Sequence, residues 1–265
     1  ILRQLKEDGK ADNTIIFFMG DNGDGIPRSK RWLNDGGIHV PLIVYVPPAL
    51  RHRYQGKQSG VNDQLISFID LAPTVLSLAG IKPPDYMHGQ HFIGKHKLPA
   101  ERKYVYAGRD RMDNRYDLQR AVRSNKYKYI RNFWPDTAYN PYLDFMYQAP
   151  IMRRIDSLKK MGVLNEVQLA WLAETKPEEE LYDLENDPYE IHNLAGDPKL
   201  ANIKKVLASE LKAWQTQYGD WLDTPEIIQA EKMWPGGKQP VTAQPTYAID
   251  GRARVIYCGT QGASI

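Results

Sequence analysis

A single cysteine, Cys258, stands in 265 residues, so no internal disulfide framework exists. One thiol assigns no redox compartment. An excess of one charge is also missing. The 35 Lys and Arg face 32 Asp and Glu, a net charge of +3. Such a balance gives no support to nucleic-acid or membrane-surface binding as a main role. Long apolar runs are scarce too. The longest, roughly 40–50, is broken by Pro41, Pro47 and Pro48, which excludes a membrane-spanning helix there. No signal peptide is visible, no internal repeat is found, and residue 1 is Ile rather than Met.

What is present is ordinary for a globular protein. With 42% hydrophobic and 25% charged residues, the chain can build one large domain or two smaller ones. Residues 1–7 have the pattern of an amphipathic helix that stops at Gly9. A fold seldom opens on the tail of a helix feeding a central strand, so a preceding portion is expected. Apolar runs at 15–19 and 41–46 show little alternation, as strands covered on both faces do, and 65–69 is a third strand candidate. A helix follows, with Asp70 as N-cap, Pro73 in the first turn and Gly80 at the end. Residues 1–98 thus read as the last part of an α/β sheet domain.

After Pro99 the pattern changes. Short alternating strands are predicted at 104–107, 119–124 and 127–131, with Asn125-Lys126 as a tight turn between the last two. Residues 132–150, rich in aromatics and prolines, read as an ordered loop, and a helix is expected within 151–174. A strand at 181–184 ends at Asn186-Asp187-Pro188. Asp197-Pro198 then starts a helix with Leu200, Ile203, Val206, Leu207, Leu211 and Trp214 on one face. Residues 99–240 form a smaller α+β subdomain on this reading. The tail, 241–265, turns strand-like again and reads as the start of an appended segment that is cut short.

The chemistry concentrates near the N-terminus. The strand 15–19 delivers Asp21-Asn22-Gly23 at its C-terminal end, and Lys30 precedes Gly36-Gly37. A carboxylate beside an amide oxygen suits a hard divalent cation. A nearby ammonium suits an anionic substrate. Each feature also has an ordinary reading: Asp-Asn-Gly is a common turn, and Lys30 beside Arg28 and Arg31 suits a solvated basic loop. Arg109, Asp110 and Arg111 follow a predicted strand end. They suit either a wall of the substrate cleft that holds an anionic group bidentately, or a structural ion-pair cluster. Tyr139, Tyr142 and Trp134 are candidate ligand-stacking faces, although packing explains most aromatics.

In this order and spacing the motifs resemble the second half of type I sulfatases of the alkaline phosphatase superfamily. Asp70-Leu71-Ala72-Pro73-Thr74 with Ala79-Gly80 is similar to the helix that follows in those enzymes. Glu180-Leu181-Tyr182-Asp183-Leu184, with Asp187-Pro188, Glu190 and Asn193-Leu194, is similar to their C-terminal signature. Arg109-Asp110-Arg111, with Arg120–Arg123 and 126–131, looks closest to bacterial sulfatases of sulfated sugars. The resemblance implies an alkaline-phosphatase-like α/β core followed by an α+β subdomain. It implies Asp21 and Asn22 as two ligands of Ca2+, and Lys30 as a catalytic contact to the sulfate. It further implies a sulfated carbohydrate substrate and a periplasmic or secreted location. His39 stands where the family shows arginine, two residues past the glycine pair, and is expected as a structural residue on a buried strand.

Such enzymes use a formylglycine made from Cys or Ser in a Cys/Ser-x-Pro/Ala-x-Arg motif. Cys258 is followed by Gly259, Thr260 and Gln261, and no serine has the required neighbours. Cys258 is expected to be a structural thiol. The paired aspartates of the family's first half are absent as well. This chain alone is therefore expected to be inactive, with the nucleophile in a missing N-terminal portion. Two other readings stay open: a phosphate or phosphonate ester hydrolase on the same fold, and a non-catalytic sugar-binding relative.

Overall fold

The computed structural model describes residues 1–53, 60–111, 115–222, 224–225, 228–229, 247–249 and 253–255. The chain forms two compact units, Ile1–Trp214 and Gln215–Ile265.

In the first unit, α1 (Leu2–Glu7) leads to β1 (Ile16–Met19). One helical turn, α2 (Asp35–Ile38), precedes β2 (Leu42–Tyr45). The two apolar runs pair with each other, antiparallel, with Phe17 opposite Val44 and Met19 opposite Leu42. Residues of this chain bury one of the two faces expected to be covered. Ile15, Phe17, Leu42 and Val44 pack on Leu78, Phe92 and Ile93, whereas Phe18, Ile43 and Tyr45 point the other way and are exposed. A side-chain period of two divides any apolar run between two faces, and only one is covered here.

The strand expected at 65–69 is also corrected. Phe68–Asp70 is a tight helical turn closed by a Ser67–Asp70 capping box, with Ser67 N–H donating to Asp70 Oδ2 at 2.8 Å. That local bond holds the backbone in a turn where a strand would have to stay extended. The predicted helix follows as α3 (Leu71–Leu78), with Pro73 in its first turn and Gly80 beyond its end. The buried Asp70 carboxylate turns away from the helix N-terminus. It accepts from Gln90 N–H at 2.7 Å and from Arg102 at 2.5 Å.

The second half of this unit is a four-stranded antiparallel meander: β3 (Val105–Arg109), β4 (Gln119–Arg123), β5 (Tyr127–Asn132) and β6 (Glu179–Asp183). The predicted Asn125-Lys126 turn forms, closed by Ser124 N–H to Tyr127 O at 2.8 Å. Between β5 and β6 lie α4 (Asp144–Tyr147), α5 (Pro150–Lys160) and α6 (Glu166–Trp171). The expected loop thus contains a helical turn, and the one helix expected in 151–174 is two. On one sheet face Val122, Tyr129 and Leu181 pack against Leu207 and Leu211 of α7 (Ala201–Tyr218). Val206, expected on the same stripe, is exposed, because it falls between the 203, 207 and 211 positions of the buried face.

The other sheet face decides where the candidate site sits. Ala121, Ile130 and Tyr182 on that face meet Leu33, which follows Lys30 by three residues. Trp32 next to it centres a second core of Leu143, Met146, Met152 and Trp171. Residues 1–98 and the meander therefore share buried side chains.

In the second unit, β7 (Tyr247–Ile249) pairs antiparallel with β8 (Ala253–Val255), which agrees with the strand-like pattern of the tail. Cys258 lies outside the described residues. Among the described residues, no helix is long and apolar enough to cross a membrane.

Candidate active site

The end of β1 places Asp21 and Asn22 on the surface. Gly20 N–H donates to Pro41 O at 3.1 Å, extending the β1–β2 ladder by one residue. Both side chains are exposed, and neither has a hydrogen-bond or ion-pair partner among the described residues. The glycines around them explain the spacing seen in the sequence. Gly23 N–H donates to Gly37 O at 3.1 Å, and Lys30 N–H to Asp24 O at 2.9 Å. A Cβ on Gly23 would lie 1.9 Å from Gly36 O. A Cβ on Gly37 would lie 2.3 Å from the carbonyl oxygens of both Ser29 and Trp32. Backbone meets backbone at three points, and only glycine permits it. Gly37→Ala is expected to cost at least about 1–3 kcal/mol of stability, measured by urea unfolding. Gly25→Ala, where a Cβ meets nothing within 4 Å, should be near neutral.

Lys30 is half-buried, with Nζ 5.6 Å from the Phe145 ring centroid and no ion pair among the described residues. Its neighbours are conformationally unusual. Arg28 has φ 60° and Arg31 φ 82°, the left-handed region. Each such residue costs on the order of 1–2 kcal/mol, so the surroundings must impose the conformation. Arg28 donates to the carbonyls of Tyr189 at 3.0 Å and Glu190 at 2.5 Å. The Trp32 indole is buried, donates to Tyr139 O at 3.4 Å and meets the Trp171 ring at 5.9 Å. The Lys30 loop is thus clamped on both sides by elements far along the chain.

Beneath the loop is a buried ion network. Lys128 is 0% exposed, and its ammonium pairs with the carboxylates of Asp35 at 2.5 Å and Glu190 at 2.7 Å and donates to Leu33 O at 3.0 Å. Glu190 Oε2 accepts from Asp35 N–H at 2.5 Å. Arg123 holds the Asp35 carboxylate with two nitrogens, at 3.0 and 3.2 Å. Burial alone would raise the Asp35 carboxyl. The bonds from His39, Arg123 and Lys128, with the Lys128 charge, outweigh burial and hold it well below the usual carboxylate range. His39 is not on a buried strand as expected. It follows α2, is exposed, and sits 3.4 Å from Asp35, because Asp35–Ile38 winds into a helical turn.

The structure separates Arg109, Asp110 and Arg111. Strand β3 runs two residues further than the apolar pattern suggests, and Arg109 takes an inward position. It is 1% exposed, lies 4.9 Å from the Trp32 ring, and is 3.7 Å from Asp117, which also pairs with Lys176 at 3.1 Å. Burial pulls the Arg109 guanidinium down, Asp117 opposes this, and nearby Arg31 adds to it. Asp110 pairs with Arg120 at 3.0 Å, while Arg111 is exposed, 5.8 Å from the Tyr116 ring. Of the aromatic candidates, Tyr139 turns its hydroxyl inward to Glu180 at 2.6 Å, whereas Tyr142 and Trp134 are exposed.

Asp35, Lys128, Glu190 and Phe145 escaped the sequence reading as site residues. One signal was available: Lys128 alternates with Tyr127 and Tyr129, so one of the two faces of β5 had to bury a lysine.

Asp21 and Asn22 offer hard oxygen donors free of competing partners among the described residues, which suits part of a calcium shell. Calcium takes about six to eight oxygens, so two side chains are a fraction of one. Among the described residues there is no group of three or more His, Cys, Asp or Glu placed to hold a metal.

Residues 1–81 match the Sulfatase family model. Over 266 residues the chain is 43% identical to an ulvan-active sulfatase of Formosa agariphila, covering all of this chain and 44% of that protein. The chain belongs to the sulfatase family. It is also 26% identical to the human N-sulphoglucosamine sulphohydrolase, across 89% of this chain and 48% of that one. Among solved structures, a 2-O GAG sulfatase matches with TM-score 0.58 and 24% identity, covering 85% of this chain and 41% of that chain. That likeness supports the α/β core followed by an α+β subdomain. The chain spans less than half the length of these relatives.

Proposed function

We propose that this chain is the C-terminal part of a calcium-dependent sulfatase that hydrolyses sulfate esters of a sulfated polysaccharide or oligosaccharide. The observation that carries the reading is an Asp21-Asn22 turn without side-chain partners and a Lys30 ammonium without an ion pair, among the described residues, the lysine on a clamped loop. An ammonium without a counter-ion on a rigid loop is suited to receive an anion. Asp21 and Asn22 supply two calcium ligands, and the N-terminal part of the fold supplies the others and the formylglycine nucleophile. When bound, calcium supplies charge neutralisation at the sulfate.

The chain's own contribution is electrostatic. Lys30 donates to a sulfate oxygen and stabilises charge as it moves toward the leaving sugar oxygen. Asp110 and Arg111 border the substrate at the end of β3. Arg109 acts from behind, holding the Trp32 anchor by stacking and charge. A periplasmic or secreted location follows from the substrate class.

The test is sulfate release by the full-length protein across a panel of sulfated glycans with calcium present. No release from any of them overturns the proposal. Asp21→Ala is expected to weaken calcium binding by at least about 10-fold, since outer-shell partners alone typically contribute that much. Titration calorimetry with calcium checks it, and unchanged affinity removes Asp21 from the metal site.

A further inference from the structure

The loop that carries Lys30 does not end at the sulfate position. Lys30 and Arg31 both approach one ring, that of Phe145, at 5.6 and 4.8 Å. Phe145 is 51% exposed although the helical turn around it is anchored by the buried Leu143 and Met146. Three residues earlier, Tyr142 is 48% exposed and its ring meets Tyr147 at 4.4 Å. Two further guanidiniums edge this surface. Arg115 donates to Tyr142 O at 3.1 Å and Arg153 to Tyr147 O at 3.3 Å. Asp144 and Asp156 border it too, so four cations stand against two carboxylates.

We propose that this aromatic and cationic strip is a second subsite, which binds the sugar next to the sulfated one and requires that sugar to carry its own anionic group, a sulfate or a carboxylate. The inference rests on the sulfatase reading and deepens it. Exposed flat rings on a fixed turn suit the apolar faces of pyranoses. Guanidiniums at the ring edges suit an anion held by charged hydrogen bonds. An uncharged neighbour would leave Arg115 and Arg153 solvated and gain only the stacking.

The experiment uses the full-length protein and synthetic tetrasaccharides with one sulfate ester. One set carries a second anionic group on the adjacent sugar and the other carries none. Calorimetric titration should give at least about 5-fold tighter binding for the doubly anionic set, the scale of one partly screened charge pair. The preference should shrink as salt is raised from about 0.05 to 0.5 M. Arg115→Gln, which keeps a donor for Tyr142 O but removes the charge, should narrow the preference. Arg153→Gln gives a second, independent variant should the first fail to fold. Equal affinity for the two sets overturns the subsite. Sulfate release measured in parallel separates the two failures. Release with no charge preference sinks the subsite alone, whereas charge-selective binding without any release sinks the sulfatase reading and leaves the subsite standing.

Discussion

Lys30→Ala in the full-length protein is expected to lower kcat on a sulfated glycan by about 100-fold or more, the scale of losing one preorganised transition-state donor. The argument is geometric as well as electrostatic. The ammonium sits on a loop whose flanking residues, Arg28 and Arg31, are held at φ 60° and 82°. The clamp from Tyr189, Glu190, Trp32 and Asp35 fixes that loop before substrate arrives. Little reorganisation is then needed when charge develops, which is what makes one donor worth so much. KM should change less than kcat, because the interaction strengthens as the ester bond breaks. Lys30→Arg should not rescue, since a planar fork on the same stem puts its donors elsewhere. Kinetics on the purified variants decide the matter, and near-normal kcat for Lys30→Ala defeats the assignment.

The second large effect lies in the buried network. Lys128→Met is expected to destabilise the fold by about 3 kcal/mol or more at neutral pH. Its removal leaves Asp35 and Glu190 as buried carboxylates without their shared cation, with Arg123 the remaining guanidinium on Asp35. The sign with pH follows from Asp35. Its folded carboxyl is held below the ordinary value, so its contribution is complete above an unfolded pKa of about 4 and fades as pH falls below that. Without Lys128 the carboxyl rises again and accepts a proton more readily. The gap between wild type and Lys128→Met should therefore be full at pH 7 and narrower at about pH 3, below the unfolded carboxylate value. Urea unfolding at both pH values measures it. A gap under about 1 kcal/mol that ignores pH would show that the network contributes little, as surface pairs do. Activity should fall with stability, since the same groups hold the Lys30 loop.

Much of the local structure was legible in the chain. The Asn125-Lys126 hairpin, the Leu207 and Leu211 stripe and the helix between Asp70 and Gly80 follow from turn chemistry and periodicity, which neighbours along the chain enforce. The candidate site was legible as a motif: Asp21-Asn22, Lys30 and Gly36-Gly37 in fixed spacing. The reason for that spacing was not. It lies in carbonyl oxygens 2.3 Å from where a Gly37 side chain would stand. The misread strand at 65–69 shows the limit of apolar runs. They report affinity for a core, not whether the backbone that carries them stays extended.

The sequence by itself determined the repertoire: a balanced charge, no disulfide framework, an oxygen-donor pair and a lysine beside a glycine pair. It also determined the family. Only the tertiary structure decided what supports that lysine. Arg28 meets Glu190 across 162 positions, and Lys128 meets Leu33 across 95. No periodicity encodes such a meeting, because alternation says which face a residue takes and not which layer will cover it. The same packing moved Arg109 from the substrate side to the interior behind Trp32 and brought Phe145 to Lys30. Those placements follow from burying two sheet faces at once, a constraint that exists only when the whole chain is folded.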